Sequence, residues 1–155
     1  MSRIQLALNV DDVDAAVAFY SRLFGAEPAK RRPGYANFAI AEPPVKLVLL
    51  ENPGQGGTIN HLGVEVETQA EVAAATRRLA DEGLETLEQE NISCCYAAQD
   101  KVWVSDPSGA RWEVYTVLAD LPSFGSAKDV STAEGCACSA PEASAEPVPA
   151  GAGCC

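Results

Sequence analysis

The sequence predicts an α+β domain made of two copies of one strand–helix–strands unit, and three observations predict it. Two segments, Ile4-Gln5-Leu6-Ala7-Leu8-Asn9-Val10 and Asn60-His61-Leu62-Gly63-Val64-Glu65-Val66, alternate with a period of two residues, the mark of a half-buried strand. Each is followed by a polar cap and an apolar stripe at helical spacing. Each helix then gives way to extended segments, and the whole pattern recurs after about 56 residues. That period is too long, and the copy number too low, for a solenoid; two units sharing one core fit it.

The first strand ends at Asp11 and Asp12, which suit a helix N-cap, and Val13, Val17, Tyr20 and Phe24 then form one apolar stripe. Gly25 suits the C-terminal stop. Extended segments follow at 36–40 and 46–50, joined by a Glu42-Pro43-Pro44 turn. In the second copy Thr68 with Glu71 makes a capping box, and Val72, Ala75, Thr76 and Leu79 form the weaker stripe of a helix that stops near Gly83. Extended segments are expected at about 85–93, 101–105 and 111–117. The Asp106-Pro107-Ser108-Gly109 turn joins the last two, with Pro at a favoured turn position and Gly closing it.

Beyond residue 118 the composition changes. Residues 119–155 are mostly Ala, Ser, Pro, Gly and Glu, too poor in large apolar side chains to offset the entropy of ordering. The expected organisation is therefore a domain at 1–118, with units at about 3–52 and 58–118, and a flexible cysteine-containing tail at 119–155. Truncation after about residue 125 is expected to preserve folding.

The chain has 155 residues and a net charge of −11, with 11 Lys plus Arg against 22 Asp plus Glu. Phosphate binding needs clustered cations, so nucleic acid and anionic membrane surfaces are excluded as expected partners. No stretch approaches the roughly 18 apolar residues of a membrane span. The polar N-terminus runs straight into the first strand, with no signal-peptide pattern, so a cytoplasmic location is expected. The six cysteines stand at 94, 95, 136, 138, 154 and 155. Adjacent residues have Cα atoms about 3.8 Å apart, below the roughly 4.4 Å of an easy disulfide. Paired thiols in such a chain point to soft-metal binding or redox work.

The strand faces carry the functional signal. Ile4, Leu6, Leu8 and Val10 face the first helix, and Leu62, Val64 and Val66 the second. Gln5, Ala7 and Asn9 face the other way, as do His61, Gly63 and Glu65, so Gln5 and His61 occupy equivalent places. If that face curls into a half-barrel it forms a polar cleft. Glu113, between Trp112 and Val114, adds a mid-strand carboxylate that burial would make costly without a partner. A lone histidine is compatible with a simple hydrogen-bonded role. Gln5, His61 and Glu113 together also resemble the facial triad of non-haem Fe(II) sites, with an amide replacing one imidazole. Mn, Co, Ni or Zn would fit the same donors.

The doubled unit and the closing run Ser105-Asp106-Pro107-Ser108-Gly109-Ala110-Arg111-Trp112-Glu113-Val114-Tyr115 resemble the vicinal oxygen chelate superfamily of glyoxalases, bleomycin-resistance proteins and extradiol dioxygenases. The resemblance covers about residues 3–118. It implies two βαβββ modules forming an open half-barrel around a metal-binding cleft, with Glu113 as a ligand. Within that superfamily, Asn91-Ile92-Ser93-Cys94-Cys95-Tyr96 is similar to the vicinal cysteine pair of the carbon–arsenic lyases. Gln5, the His of Asn60-His61-Leu62 and the Glu of Arg111-Trp112-Glu113 extend the likeness. The cadmium-induced protein type shares much of this motif set.

The resemblance implies an Fe(II)-dependent dioxygenase that uses O2 to cleave the C–As bond of trivalent organoarsenicals, methyl or aryl, releasing inorganic arsenite. Ni, Co or Mn are alternative occupants of the metal site. Cys94 and Cys95 would exchange for the two hydroxyls of a methylarsenite, and both sulfurs converge only if the backbone at 94–95 departs from a pleated strand. Cys136, Cys138, Cys154 and Cys155 would be tail arsenic sites or a passive soft-metal trap. Trp103, Tyr96 and Tyr115 read as core and rim packing, with a pocket wall for aryl arsenicals as the alternative, Lys101 and Arg111 as strand-surface residues, and Asp106 as a turn residue. Two other functions are compatible with the residues: a non-catalytic thiol-based arsenite or cadmium binder, and a glyoxalase-like isomerase or thiol transferase. O2 consumption separates the lyase from both. A monomer or a homodimer is expected, with the modules pairing within one chain.

Overall fold

The structure, a computed structural model, describes residues 1–122. The cysteines at 136, 138, 154 and 155, and the truncation point, lie outside the described residues. The first module runs β1 (Arg3–Val10), α1 (Val13–Phe24), β2 (Lys30–Arg32), β3 (Tyr35–Ile40) and β4 (Val45–Glu51). The second runs β5 (Ile59–Glu65), α2 (Gln69–Asp81), β6 (Leu87–Cys94), β7 (Ala97–Ser105) and β8 (Arg111–Asp120). Each is therefore a βαβββ unit. The short polar β2 adds the strand that the alternation of apolar residues leaves out.

Both helices are capped as the sequence expects. Asp12 accepts from the Ala15 amide at 2.9 Å, and Gly25 closes α1 with a left-handed φ of 59°. The Thr68–Glu71 capping box opens α2. Leu6, Leu8 and Val10 of β1 pack with Val13, Val17, Phe38 and Leu49 in the core beneath α1. Helix α2 buries Val72 and Leu79 and packs on β7 and β8.

One eight-stranded sheet has the order β2-β3-β4-β1-β5-β8-β7-β6. The modules meet where β1 and β5 run antiparallel, with Gln5 opposite Gly63 and Ala7 opposite His61. In the parallel pair of β5 and β8, Gly63 stands opposite Glu113. Gln5, Gly63 and Glu113 thus form one row across three adjacent strands, on one face of the sheet. That face curls inward. Its outermost strands approach each other through Tyr96, at the tip of the β6–β7 hairpin. The Tyr96 ring lies 5.5 Å from that of Tyr35 and 5.7 Å from the Arg32 guanidinium, and its carbonyl accepts from Lys30. The sheet is a half-barrel drawn nearly shut.

Curling explains an inversion in the burial pattern. In β1 the polar-bearing face, Gln5, Ala7 and Asn9, is buried, whereas Leu6, Leu8 and Val10 on the helix side are only partly buried. The polar face is thus the inside of the half-barrel.

Candidate metal and thiol site

The three expected ligand groups converge. Gln5 Nε2 lies 2.8 Å from Glu113 Oε1 and 3.1 Å from His61 Nε2, and His61 Nε2 lies 3.4 Å from Glu113 Oε1. All three side chains are buried. Donors about 2.1 Å from an ion and at right angles stand about 3.0 Å apart, so this triangle has the edge lengths of one face of an octahedral site. Among the described residues no group of three His, Cys, Asp or Glu side chains is placed to hold an ion, and the set is completed by the amide of Gln5. Gly63 fits the same purpose. A Cβ there would meet Glu113 Cγ at 3.1 Å and Gln5 Cβ and Nε2 at 3.3 Å. The missing side chain leaves the space between these two side chains open.

Neighbouring hydrogen bonds fix the imidazole. Asn60 Nδ2 donates to Asn9 Oδ1 at 3.0 Å, which turns Asn60 Oδ1 toward His61 Nδ1, 2.7 Å away. Asn60 thus holds an N–H at Nδ1, and Nε2 faces Gln5 and Glu113. The Trp103 ring meets His61 edge-on at 5.4 Å.

Glu113 is fully buried, and burial alone would raise its pKa. Lys101, whose Nζ donates to Oε2 at 2.7 Å, overrides this together with His61 and brings the pKa down to about 2. Lys101 corrects the sequence reading: it is 1% exposed and not a surface residue. Its alternation with Gln99 and Trp103 along β7 places it on the inner face, where Glu113 supplies the partner a buried cation needs. Arg111 is half-buried, with its guanidinium 4.4 Å from the centre of the Trp103 ring. Tyr115 is more than packing. Its hydroxyl donates to Gln5 Oε1 at 2.5 Å and lies 3.1 Å from Glu65 Oε2, and Lys46 donates to it at 3.0 Å. Burial, then the nearby Glu65 and Glu113, push its pKa well above 10, so it stays a neutral hydrogen-bond donor.

The cysteine pair sits at the tip of the β6–β7 hairpin. Cys94 pairs with Ala97, and Cys95 and Tyr96 form the two-residue turn with φ of 54° and 65°. Two successive positive φ values make this the type I′ geometry usually filled by Asn-Gly. The turn supplies the departure from the pleat that the sequence reading requires, and the sulfurs lie 3.5 Å apart. At that distance the two sulfurs are in contact without being joined to each other. Both are buried in one cluster with Ala7, Val48 and Trp103 on the inner face. Trp103 thus touches both the imidazole and the environment of the thiol pair. Cys95 also borders a cleft of about 260 Å³ between the modules, where Tyr35, Asn37, Lys46 and Gln99 line the wall. The Gln99 Oε1 atom is buried there without a hydrogen-bond partner.

A doubled βαβββ half-barrel with a row of polar side chains on its inner face defines a class, and comparison with known proteins gives the same one. Residues 3–114 match the Glyoxalase/Bleomycin resistance protein/Dioxygenase superfamily, and the chain belongs to it. The chain is 64% identical to the "Cadmium-induced protein CadI" of Mycobacterium tuberculosis over 141 residues, 89% of this chain and 93% of that protein. It is 58% identical to the "Trivalent organoarsenical cleaving enzyme" of Thermomonospora curvata over 130 residues, 83% and 86% of the two chains. Among solved structures, the Mn(II)-bound glyoxalase of Novosphingobium aromaticivorans matches with a TM-score of 0.57 at 20% identity, covering 83% of this chain and 44% of that one. An extradiol ring-cleaving dioxygenase from B. fuscum matches with a TM-score of 0.56 at 19% identity, covering 77% and 33%. These two likenesses concern the fold alone. No helix among the described residues is long and apolar enough to cross a membrane.

Proposed function

We propose that this chain is a cytoplasmic Fe(II)-dependent dioxygenase that cleaves the C–As bond of trivalent organoarsenicals, methylarsenite and trivalent aromatic arsenicals, to inorganic arsenite. One observation carries the reading. Two adjacent sulfurs, held 3.5 Å apart by a left-handed turn, are buried in the cluster whose Trp103 ring abuts His61 of the ligand triangle. The name of the Thermomonospora curvata relative supports it.

In this reading Cys94 and Cys95 displace the two hydroxyls of CH3As(OH)2 as water, leaving the C–As bond intact. Adjacency in the chain removes most of the search entropy for the second As–S bond. Capture needs both sulfurs as thiols. The hairpin tip holds the tethered arsenic at the inner face, and Trp103, Tyr35 and Tyr96 exclude water around it. Gln5, His61 and Glu113 are the residues that would hold Fe(II), with Mn, Co or Ni as other occupants. Fe(II) held by these residues would supply O2 activation. The overall conversion CH3As(OH)2 + O2 → As(OH)3 + HCHO balances in atoms and electrons without an outside reductant.

The likeness to CadI, together with the thiol pair, favours a second reading, a non-catalytic arsenite or cadmium binder. Anaerobic loading with Fe(II), addition of methylarsenite and then air, with arsenic speciation followed over time, separates the two. The lyase predicts inorganic arsenite that depends on both Fe(II) and O2. Tight binding with the methyl group intact overturns it in favour of the binder.

A further inference from the structure

We infer that the Tyr115 hydroxyl is what allows Gln5 to act as a metal ligand, because it can hold the outer atom of the Gln5 amide in either of two orientations. The inference rests on the metal reading above and deepens it. In the structure the inner amide atom is Nε2, at 2.8 Å from Glu113 Oε1 and 3.1 Å from His61 Nε2. The outer atom is Oε1, at 2.5 Å from the Tyr115 hydroxyl. An amide nitrogen has no lone pair to give a metal. Ligation therefore requires a half-turn of the amide that brings Oε1 inward and leaves Nε2 against Tyr115.

Most partners at the outer position would accept only one of these orientations. A backbone N–H would reject the amide nitrogen, and a carboxylate would reject the amide oxygen. A hydroxyl, with one proton and two lone pairs, serves both. The groups needed for the second orientation are already in reach. Glu65 Oε2, 3.1 Å away, can take the Tyr115 hydrogen bond. Lys46 Nζ already donates to the hydroxyl at 3.0 Å, which leaves the second lone pair for Gln5 Nε2. Every hydrogen-bonding position of the hydroxyl is then filled. Glu65 remains paired with Arg3, whose Nε and Nη2 donate at 3.0 and 3.2 Å. The change is a rotation of one O–H bond and one amide, with no proton gained or lost. The ring itself is buried, 0% exposed, with the Lys46 and Lys101 ammonium groups 5.0 and 5.9 Å from its centre.

The test uses the full chain and Co(II), followed by visible absorption. Tyr115→Phe is expected to weaken Co(II) binding about 10–100-fold and to shift the ligand-field bands. In a Gln5→Glu background, where a carboxylate offers oxygen either way round, the same change is expected to move affinity by no more than about twofold. Equal losses in both backgrounds, or no loss in the parent background, overturn the inference. A second measurement needs no variant. Nuclear Overhauser contacts of the Gln5 amide protons should move from the His61 ring to the Tyr115 ring as Zn(II) is added. An amide that keeps its His61 contact with Zn(II) bound overturns the inference. A parent chain that binds neither ion overturns the metal reading itself, a result distinct from all of these.

Discussion

Lys101 Nζ lies 2.7 Å from Glu113 Oε2, and neither side chain is exposed at all. Charge and countercharge thus share a dry interior, and the carboxylate's second oxygen remains turned toward His61 and Gln5. Removing the cation should cost about 3–5 kcal/mol at pH 7, because an uncompensated carboxylate stays buried. Lys101→Met is therefore expected to lower the urea midpoint sharply at pH 7, and less at acid pH where Glu113 can protonate. Equal destabilisation at both pH values would remove the ion pair as the cause.

Acid should weaken the parent chain through the same pair. The ordinary glutamate pKa is about 4.3, and that of Glu113 in the fold is about 2. A depressed native pKa contributes stability that is present above the unfolded value and is lost as pH falls through the folded one. Urea stability should therefore fall between about pH 4.3 and pH 2, and Glu113→Gln should flatten that part of the profile.

Gly63→Ala should fold yet load metal poorly. The added methyl group meets Glu113 Cγ at 3.1 Å and the Gln5 side chain at 3.3 Å, both of them triangle residues. Overpacking of this kind costs about 1–3 kcal/mol, which a thermal melt would register as a modest shift. Co(II) titration should show the larger effect, and undiminished loading would mean that the ligands reposition freely.

Asn60→Leu should reduce metal affinity about 10–100-fold with the fold retained. It removes the acceptor that keeps the Nδ1 proton of His61 in place. Isothermal titration with Co(II), alongside circular dichroism, reads the two effects separately.

Arsenic capture should need both sulfurs of the pair, which lie 3.5 Å apart. Cys94→Ser and Cys95→Ser are each expected to abolish tight methylarsenite uptake by the reduced chain, followed as protein-bound arsenic after gel filtration. Undiminished uptake in either variant would place capture elsewhere.

The period-two alternation is enough to put Gln5 and His61 on one face, because residues on one face of a strand repeat every second position whatever the strand pairs with. The caps of α1 and α2 were equally local and equally legible. Lys101 was not, since its burial depends on a carboxylate from a neighbouring strand that the β7 sequence does not contain. Strand β2, Lys30-Arg31-Arg32, has no apolar alternation and exists as an edge partner of β3. The alternation in β1 also predicts a polar cleft on the face bearing Gln5, but the near-complete burial of Gln5, Ala7 and Asn9 depends on the whole sheet closing over that face. The role of Tyr115 likewise needs Gln5, Lys46 and Glu65 in place around it.

The proposed ligand triangle takes Gln5 from the first module and His61 and Glu113 from the second, while the hairpin carrying Cys94 and Cys95 packs on Ala7 and Val48 of the first. Neither half holds a complete centre. Residues 52–58, between β4 and β5, are therefore more than a connection. A short tether presents one half to the other at an effective concentration on the order of millimolar. Cutting it would turn assembly of the centre into a bimolecular reaction, dependent on dilution, in which each fragment limits the other.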